Sequence, residues 1–226
     1  MAKVNPKDKE ALMQENIEQT VSATEQFLNN NKKTIIGALV AVVVIGLGIL
    51  AYSKFVYQVQ VEEAMAQAFP AETNFQNGEY ELALNGDGNN LGFVQIIEDY
   101  GKKAGKAVYF YAGVCELQLG NYESAIKYLQ AYNGKDEILA ARAKACIGDA
   151  YVGLEDYKKA LACFEEAAAV VDNMFAAGYL LKAGVVAEKL GENAKALSFY
   201  EKIQDQYPQS MEAYDIDKYI GRIENK

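Results

Sequence analysis

Hydrophobic and polar positions divide this 226-residue chain into three stretches with different periods. Residues 7–31 are polar, with a stripe at Leu12, Ile17, Val21, Thr24 and Leu28 spaced three to five apart. That spacing predicts an amphipathic helix with a narrow apolar face. Residues 35–52 then read IIGALVAVVVIGLGILAY, 18 positions without a charge. As a helix this run covers roughly 27 Å, close to the hydrocarbon thickness of a bilayer. Lys32 and Lys33 precede it and Lys54 follows, while Tyr52, Phe55 and Tyr57 stand where interfacial rings are favoured. A transmembrane signal anchor is therefore predicted over residues 34–54, behind a polar segment at 1–33. A cleaved signal peptide fits less well, because the apolar run exceeds the usual h-region and a long polar lead comes first. Gly37 and Ala41 form a single small-xxx-small pair, which alone is weak ground for helix dimerisation.

Beyond the span, residues 55–69 contain no Gly or Pro and predict a stem helix that Pro70 ends or kinks. Residues 75–84 follow, then the turn-rich run NGDGNN at 85–90, then a short apolar helix over 91–100. From there the chain repeats itself. Gly113, Gly148 and Gly184 are 35 and 36 positions apart; Ala125, Ala160 and Ala196 keep the same intervals, as do Leu129, Phe164 and Tyr200. Each unit predicts a helix with a small residue, a tight turn (LGNY, LEDY, LGEN) and a second helix with an Ala. Two antiparallel helices approach closely only where small residues meet, so the Gly is expected to face the Ala. The bulky residue one turn later is expected to fill space against the next unit. One such hairpin cannot bury its apolar face alone, so at least three must stack.

These residues and intervals resemble tetratricopeptide repeats, whose usual period is about 34. The best copies run over residues 106–134, 141–170 and 177–210, with Pro208 where that family places its inter-repeat proline. GEYELAL at 78–84 resembles a degenerate earlier unit, and 211–223 the family's terminal solvating helix. Departures are the absence of Trp, Glu116 at a usual Tyr site, Lys144 at a usual aromatic site and Glu155 at a usual Gly site. The resemblance implies an all-α fold beyond the predicted transmembrane helix: a stem and degenerate first repeat over 55–105, and three repeats with a capping helix over 106–226, a tetratricopeptide-like solenoid of stacked helical hairpins. It also implies a concave protein-binding face. Carrying the family's inward positions onto this chain selects Phe110, Val114, Leu117, Ala145, Asp149, Val152, Leu181 and Val185. An apolar concavity suits an amphipathic helix or an unfolded apolar segment. The competing expectation is that the chain's own early helices fill it.

Charge adds an orientation. Lys3, Lys7, Lys9, Lys32 and Lys33 precede the span, whereas no Lys or Arg occurs between Lys54 and Lys102. The basic bias predicts a cytoplasmic N-terminus. The overall net charge of −9 offers no phosphate-neutralising surface, so nucleic acid is not an expected partner. In layout the chain resembles the single-span ancillary subunits of the bacterial Sec translocon. That likeness implies the bacterial inner membrane, a periplasmic repeat domain, and the translocon, periplasmic chaperones or exported chains as partners.

Candidate chemistry is sparse. Histidine is absent, which removes Ser-His-Asp and Cys-His catalysis and His-ligated metal. Residues 85–90 offer oxygens at alternate positions, but a calcium loop needs Gly at Asn90 and a closing Glu at Ile96. A turn using positive φ explains the run without metal. Cys115, Cys146 and Cys163 fall inside repeat helices, where thiols act as small apolar groups. The sequence therefore predicts no enzyme, cofactor or metal. It predicts a membrane-anchored scaffold that binds proteins in export, chaperone recruitment or envelope assembly. The alternative is an obligate structural subunit whose apolar face is filled permanently.

Overall fold

The computed structural model describes residues 6–170 and 172–225. It divides into two units, residues 1–58 and 59–226. The first is a single helix, α1 (Pro6–Tyr52), closed by a π-helical turn at Ser53–Tyr57. The polar lead and the apolar run, read as separate segments, are one helix. Pro6 takes the first turn, where a missing N–H costs nothing, and nothing breaks the backbone before the apolar run. Leu28 is exposed; the other stripe residues, Leu12, Ile17, Val21 and Thr24, lie outside the described side chains. Val40 and Val42 to Ile45 are exposed around the helix, as are Leu47, Ile49 and Leu50. Among the described residues, one helical stretch, Asn30–Gln76, is long and apolar enough to cross a membrane. Its best window has a mean hydropathy of 2.8 and is 0% buried.

The second unit is all-α and consists of stacked hairpins. Its elements are α2 (Gln58–Gln76), α3 (Tyr80–Asn85), α4 (Phe93–Tyr100), α5 (Ala107–Gln118), α6 (Tyr122–Ala131), α7 (Glu137–Gly153), α8 (Tyr157–Val170), α9 (Met174–Lys189), α10 (Asn193–Gln206) and α11 (Ile216–Glu224). The repeat copies expected from the sequence appear as the hairpins α5–α6, α7–α8 and α9–α10. Pro70 does not end the stem helix. It deletes one backbone bond, yet α2 runs on to Gln76, because Ala64, Ala68 and Ala71 press it onto Phe93, Ile96, Ala112 and Cys115.

A backbone device recurs at every hairpin. The N–H of Glu79, Asn121, Asp156 and Glu192 donates to the carbonyl five residues back, at Asn74, Glu116, Tyr151 and Ala187, each at 2.9 Å. This is the six-to-one closure that ends a helix when the next residue is left-handed. That left-handed residue is Gly78, Gly120, Glu155 and Gly191, with φ of 78°, 81°, 59° and 78°. The degenerate first unit therefore turns like the other three. Its second helix differs: Ala83 precedes Ala125 by 42 positions rather than 35 or 36. The extra residues form the 85–92 loop, pinched by a bridge between Gly86 and Leu91, and they split one helix into α3 and α4.

The nearest neighbours of the repeat glycines are the bulky repeat residues. A β-carbon on Gly113, Gly148 or Gly184 would meet Leu129 at 2.6 Å, Phe164 at 2.6 Å or Tyr200 at 2.2 Å. The bulky residue fills its own hairpin, where the Gly leaves a hollow, and also reaches the next unit: Lys182 Nζ lies 5.7 Å from the Phe164 ring, and Leu129 shares a core with Ala143 and Ala150. Ala125, Ala160 and Ala196 are fully buried beside these contacts.

Candidate functional site

The inward positions of the first helices fall into two classes. Phe110 and Ala145 are each 3% exposed. Phe110 packs among Ala125, Leu129, Ala143 and Ala150, with its ring 5.8 Å from Tyr111 and 6.1 Å from Tyr132. Ala145 belongs to the core built around Phe164 and Tyr200. Both are spent on joining helices and offer no surface to a partner, which corrects their selection as groove residues. Val114 and Leu117 lie half-buried against the Phe110 cluster, and Leu181 lies half-buried against the Tyr200 core. Val152 and Val185 are open, at 36% and 44%. The early helices do not cover them: α2 and α4 pack into their own core with α3 and α5.

Val152 and Val185 come together in a depression of about 410 Å³ lined also by Tyr157, Val186, Glu188, Lys189 and Arg222. The floor is apolar and comes from the ends of α7 and α9 and the start of α8. Its polar edge is organised by Glu188. Arg222 donates to Glu188 from Nη2 at 2.5 Å and from Nε at 3.2 Å, and the Tyr200 hydroxyl donates to Glu188 Oε1 at 2.7 Å. That junction ties α11 to α9 and α10. Arg222 lies 4.9 Å from the Tyr219 ring and Lys189 5.8 Å from the Tyr157 ring, so cations lie over aromatic faces at the rim. Asp149 is occupied: Lys182 donates to both of its oxygens at 2.8 and 2.7 Å, linking α7 to α9.

The titratable groups here are quiet. Burial, aided by Asp149 and opposed by Lys182 and Arg142, pushes the Cys146 thiol up to about 11. Burial pushes Cys115 to about 12. Cys115, Cys146 and Cys163 are all free thiols. Burial, reinforced by the acceptor Glu188, raises the Tyr200 phenol. These are protonated, unreactive groups at neutral pH. In the 85–90 loop, Asp87 accepts from the backbone N–H of Asn89 and Asn90 and from Asn90 Nδ2, bonds that hold its carboxyl below the usual range. Its oxygens serve the turn, and among the described residues no cluster of three metal-ligating side chains occurs.

Glu116, at a site usually aromatic in such hairpins, is buried and accepts from Asn121 Nδ2 at 2.8 Å, bracing the turn. Lys144 reaches Glu166 at 2.5 Å across α7–α8. Five residues of the depression escaped the sequence reading: Tyr157, Val186, Glu188, Lys189 and Arg222. Tyr157 carried a signal as a turn residue repeated at Tyr122. Arg222 carried none, because α11 lies outside the repeat from which inward positions were carried over.

Residues 94–137 and 147–210 match the family model described as tetratricopeptide repeat. The hairpins α5–α6, α7–α8 and α9–α10 fall largely within these matched stretches. Among solved structures, the crystal structure of the MamA protein superposes with a TM-score of 0.56 at 20% identity, covering 74% of this chain and 81% of that one. That likeness extends the solenoid architecture over most of the second unit. Curated proteins give no match. The match supports a generic protein-interaction scaffold of the tetratricopeptide type.

Proposed function

We propose that the chain is a single-span membrane protein whose tetratricopeptide domain captures amphipathic or unfolded apolar segments of other proteins at the bacterial inner membrane. The observation that carries this reading is the Val152–Val185 depression. It is an open apolar floor edged by Lys189 and the Arg222–Glu188 pair, away from the core in which α2 and α4 pack. An apolar side chain of a bound segment fits the floor, and Lys189 favours an acidic neighbour on that segment. Confinement of the domain at a membrane raises the local concentration of partners arriving there. The uncharged run at 35–52 supports the anchor and the lysines before it support a cytoplasmic N-terminus, leaving the tetratricopeptide domain in the periplasm. The layout resemblance to ancillary translocon subunits favours the Sec translocon, periplasmic chaperones or exported chains as partners.

The test has two arms. The full chain is expected to remain in carbonate-washed inner membranes, with its repeat domain digested by protease added to spheroplasts; a protected domain would reverse the orientation. Partners recovered after crosslinking in cells are expected to be lost from a Val152→Asp, Val185→Asp variant that keeps its helical circular dichroism. An unchanged partner set would place binding elsewhere.

One observation favours the obligate-subunit alternative over part of the surface. On the α5 side of the inward face Phe110 is buried and Val114 and Leu117 are half-buried, whereas Val152 and Val185 on the α7–α9 side are exposed.

A further inference from the structure

Asparagine is followed by glycine at Asn77–Gly78, Asn85–Gly86 and Asn133–Gly134. The pair is chemically labile, because a glycine amide nitrogen carries no side chain to bar its approach to the asparagine Cγ. All three asparagines are exposed, but the structure treats the following nitrogens differently. The Gly78 N–H donates to the carbonyl of Phe75 at 3.1 Å, and the Gly86 N–H to that of Leu82 at 2.8 Å. Both nitrogens are thus engaged at helix ends. The Asn85 side chain is held as well, its Nδ2 donating to Glu81 at 2.9 Å. Gly134 lies in irregular backbone between α6 and α7, and its N–H donates to no acceptor among the described residues.

A second contact bears on the same peptide unit. Lys106 Nζ donates to the Asn133 carbonyl at 2.8 Å. That oxygen and the Gly134 nitrogen belong to one amide. An ammonium on the oxygen draws electron density from the nitrogen and makes its proton easier to remove. Packing also requires glycine after Asn133. The Tyr132 ring, 6.1 Å from that of Phe110, occupies the place of a β-carbon on Gly134, which would meet the hydroxyl at 2.0 Å.

We infer that Asn133 is a deamidation site promoted by Lys106. The Gly134 nitrogen gives its proton to solvent hydroxide and bonds to Asn133 Cγ. The Cγ–Nδ2 bond breaks, and the side-chain nitrogen leaves as ammonia. Water then opens the cyclic imide. Lys106 polarises the α-carbonyl, so water adds there and the bond from that carbon to the Gly134 nitrogen breaks. The main chain is left running through Cγ as an isoaspartyl linkage, with a free α-carboxylate facing the Lys106 ammonium. One water is consumed and one ammonia released, with no oxidant or reductant. The product adds a negative charge and a main-chain carbon to the connection between the α5–α6 and α7–α8 hairpins, where stacking rests on nearest-neighbour interfaces.

The full chain in detergent micelles is aged at mildly alkaline pH, and its peptides are analysed by mass spectrometry, with isoaspartate distinguished by enzymatic methyl labelling. Asn133 is expected to lose its amide about tenfold faster than Asn77 or Asn85, whose glycine N–H groups must first leave a hydrogen bond. In urea the three are expected to react at similar rates, and with a smaller isoaspartate share at Asn133 than in the folded chain. Lys106→Met is expected to slow the loss at Asn133 by about threefold and to lower its isoaspartate share, and Lys106→Arg to restore both. A Lys106 that merely braced the connection would give the opposite sign, because loosening the backbone speeds cyclisation. Equal rates at the three pairs of the folded chain, or a difference that persists in urea, would overturn the inference. So would a loss at Asn133 that Lys106→Met leaves unchanged or speeds.

Discussion

The ring of Tyr200 occupies the space that a side chain on Gly184 would need: a β-carbon there would sit 2.2 Å from Cε1. The relationship recurs sixteen residues apart in each repeat, with Phe164 over Gly148 and Leu129 over Gly113. It makes a prediction that helix propensity alone would reverse. Gly184→Ala is expected to destabilise the domain by about 1–3 kcal/mol through overpacking, although Ala is the better helix former. Gly178→Ala in the same helix meets only the carboxylate end of Glu212, at 3.1 Å, and is expected to be neutral or stabilising. Thermal unfolding of the two variants checks the contrast; equal shifts would contradict it.

Glu155 holds φ at 59° where the other three turns have Gly. Left-handed backbone costs a residue with a β-carbon about 1–2 kcal/mol. Glu155→Gly is therefore expected to raise stability, by about 1 kcal/mol after the entropy Gly loses on folding. Urea denaturation measures it, and a lower midpoint would show that the Glu155 side chain contributes something the turn geometry does not reveal.

Glu188 is the acceptor that ties α11 down. Its side chain is 9% exposed and accepts from both Arg222 and Tyr200. Arg222→Ala is expected to cost about 1 kcal/mol, discounted because the guanidinium is half exposed. Glu188→Ala is expected to cost more, about 2 kcal/mol, because it leaves the Tyr200 hydroxyl without its acceptor. Hydrogen exchange in α11 (Ile216–Glu224) reads both, with protection falling in that order.

The solenoid was legible because its repeat is written twice, in residue type and in interval. Gly113, Gly148 and Gly184 marked the first helices, and LGNY, LEDY and LGEN marked the turns. The partner of each glycine was not legible, because a periodic pattern says that Gly184, Ala196 and Tyr200 recur but not which two touch. The first repeat was visible only as GEYELAL, since the seven-residue excess before Ala125 breaks the interval. Of the inward set, Val152 and Val185 lie in the depression while Phe110 and Ala145 are core. Helical spacing places those four on similar faces, and only the neighbouring helix decides which are covered. Arg222 belongs to a terminal helix that packs by no repeat rule.

The thiols set an alkaline limit. Cys115 and Cys146 sit at about 12 and about 11 against 9.0 for an unburied thiol. Because the folded values lie above the unfolded one, the native state resists deprotonation. The stability these thiols contribute is complete below pH 9 and is lost as pH rises toward 11 and 12. Denaturation midpoints are expected to fall between pH 9 and 10, before an ordinary tyrosine titrates. Cys115→Ala, Cys146→Ala is expected to flatten that slope whatever its effect on absolute stability.

The most direct test of the central claim is photocrosslinking in intact cells from a benzoylphenylalanine at Val185, with matched probes at Val152 and at Leu154 in the turn between α7 and α8. The account predicts discrete polypeptide adducts from Val185 and Val152 that weaken when Lys189→Glu reverses the rim charge, and none in common with Leu154. Adducts identical from all three positions, or polypeptide adducts from Leu154 alone, would contradict it.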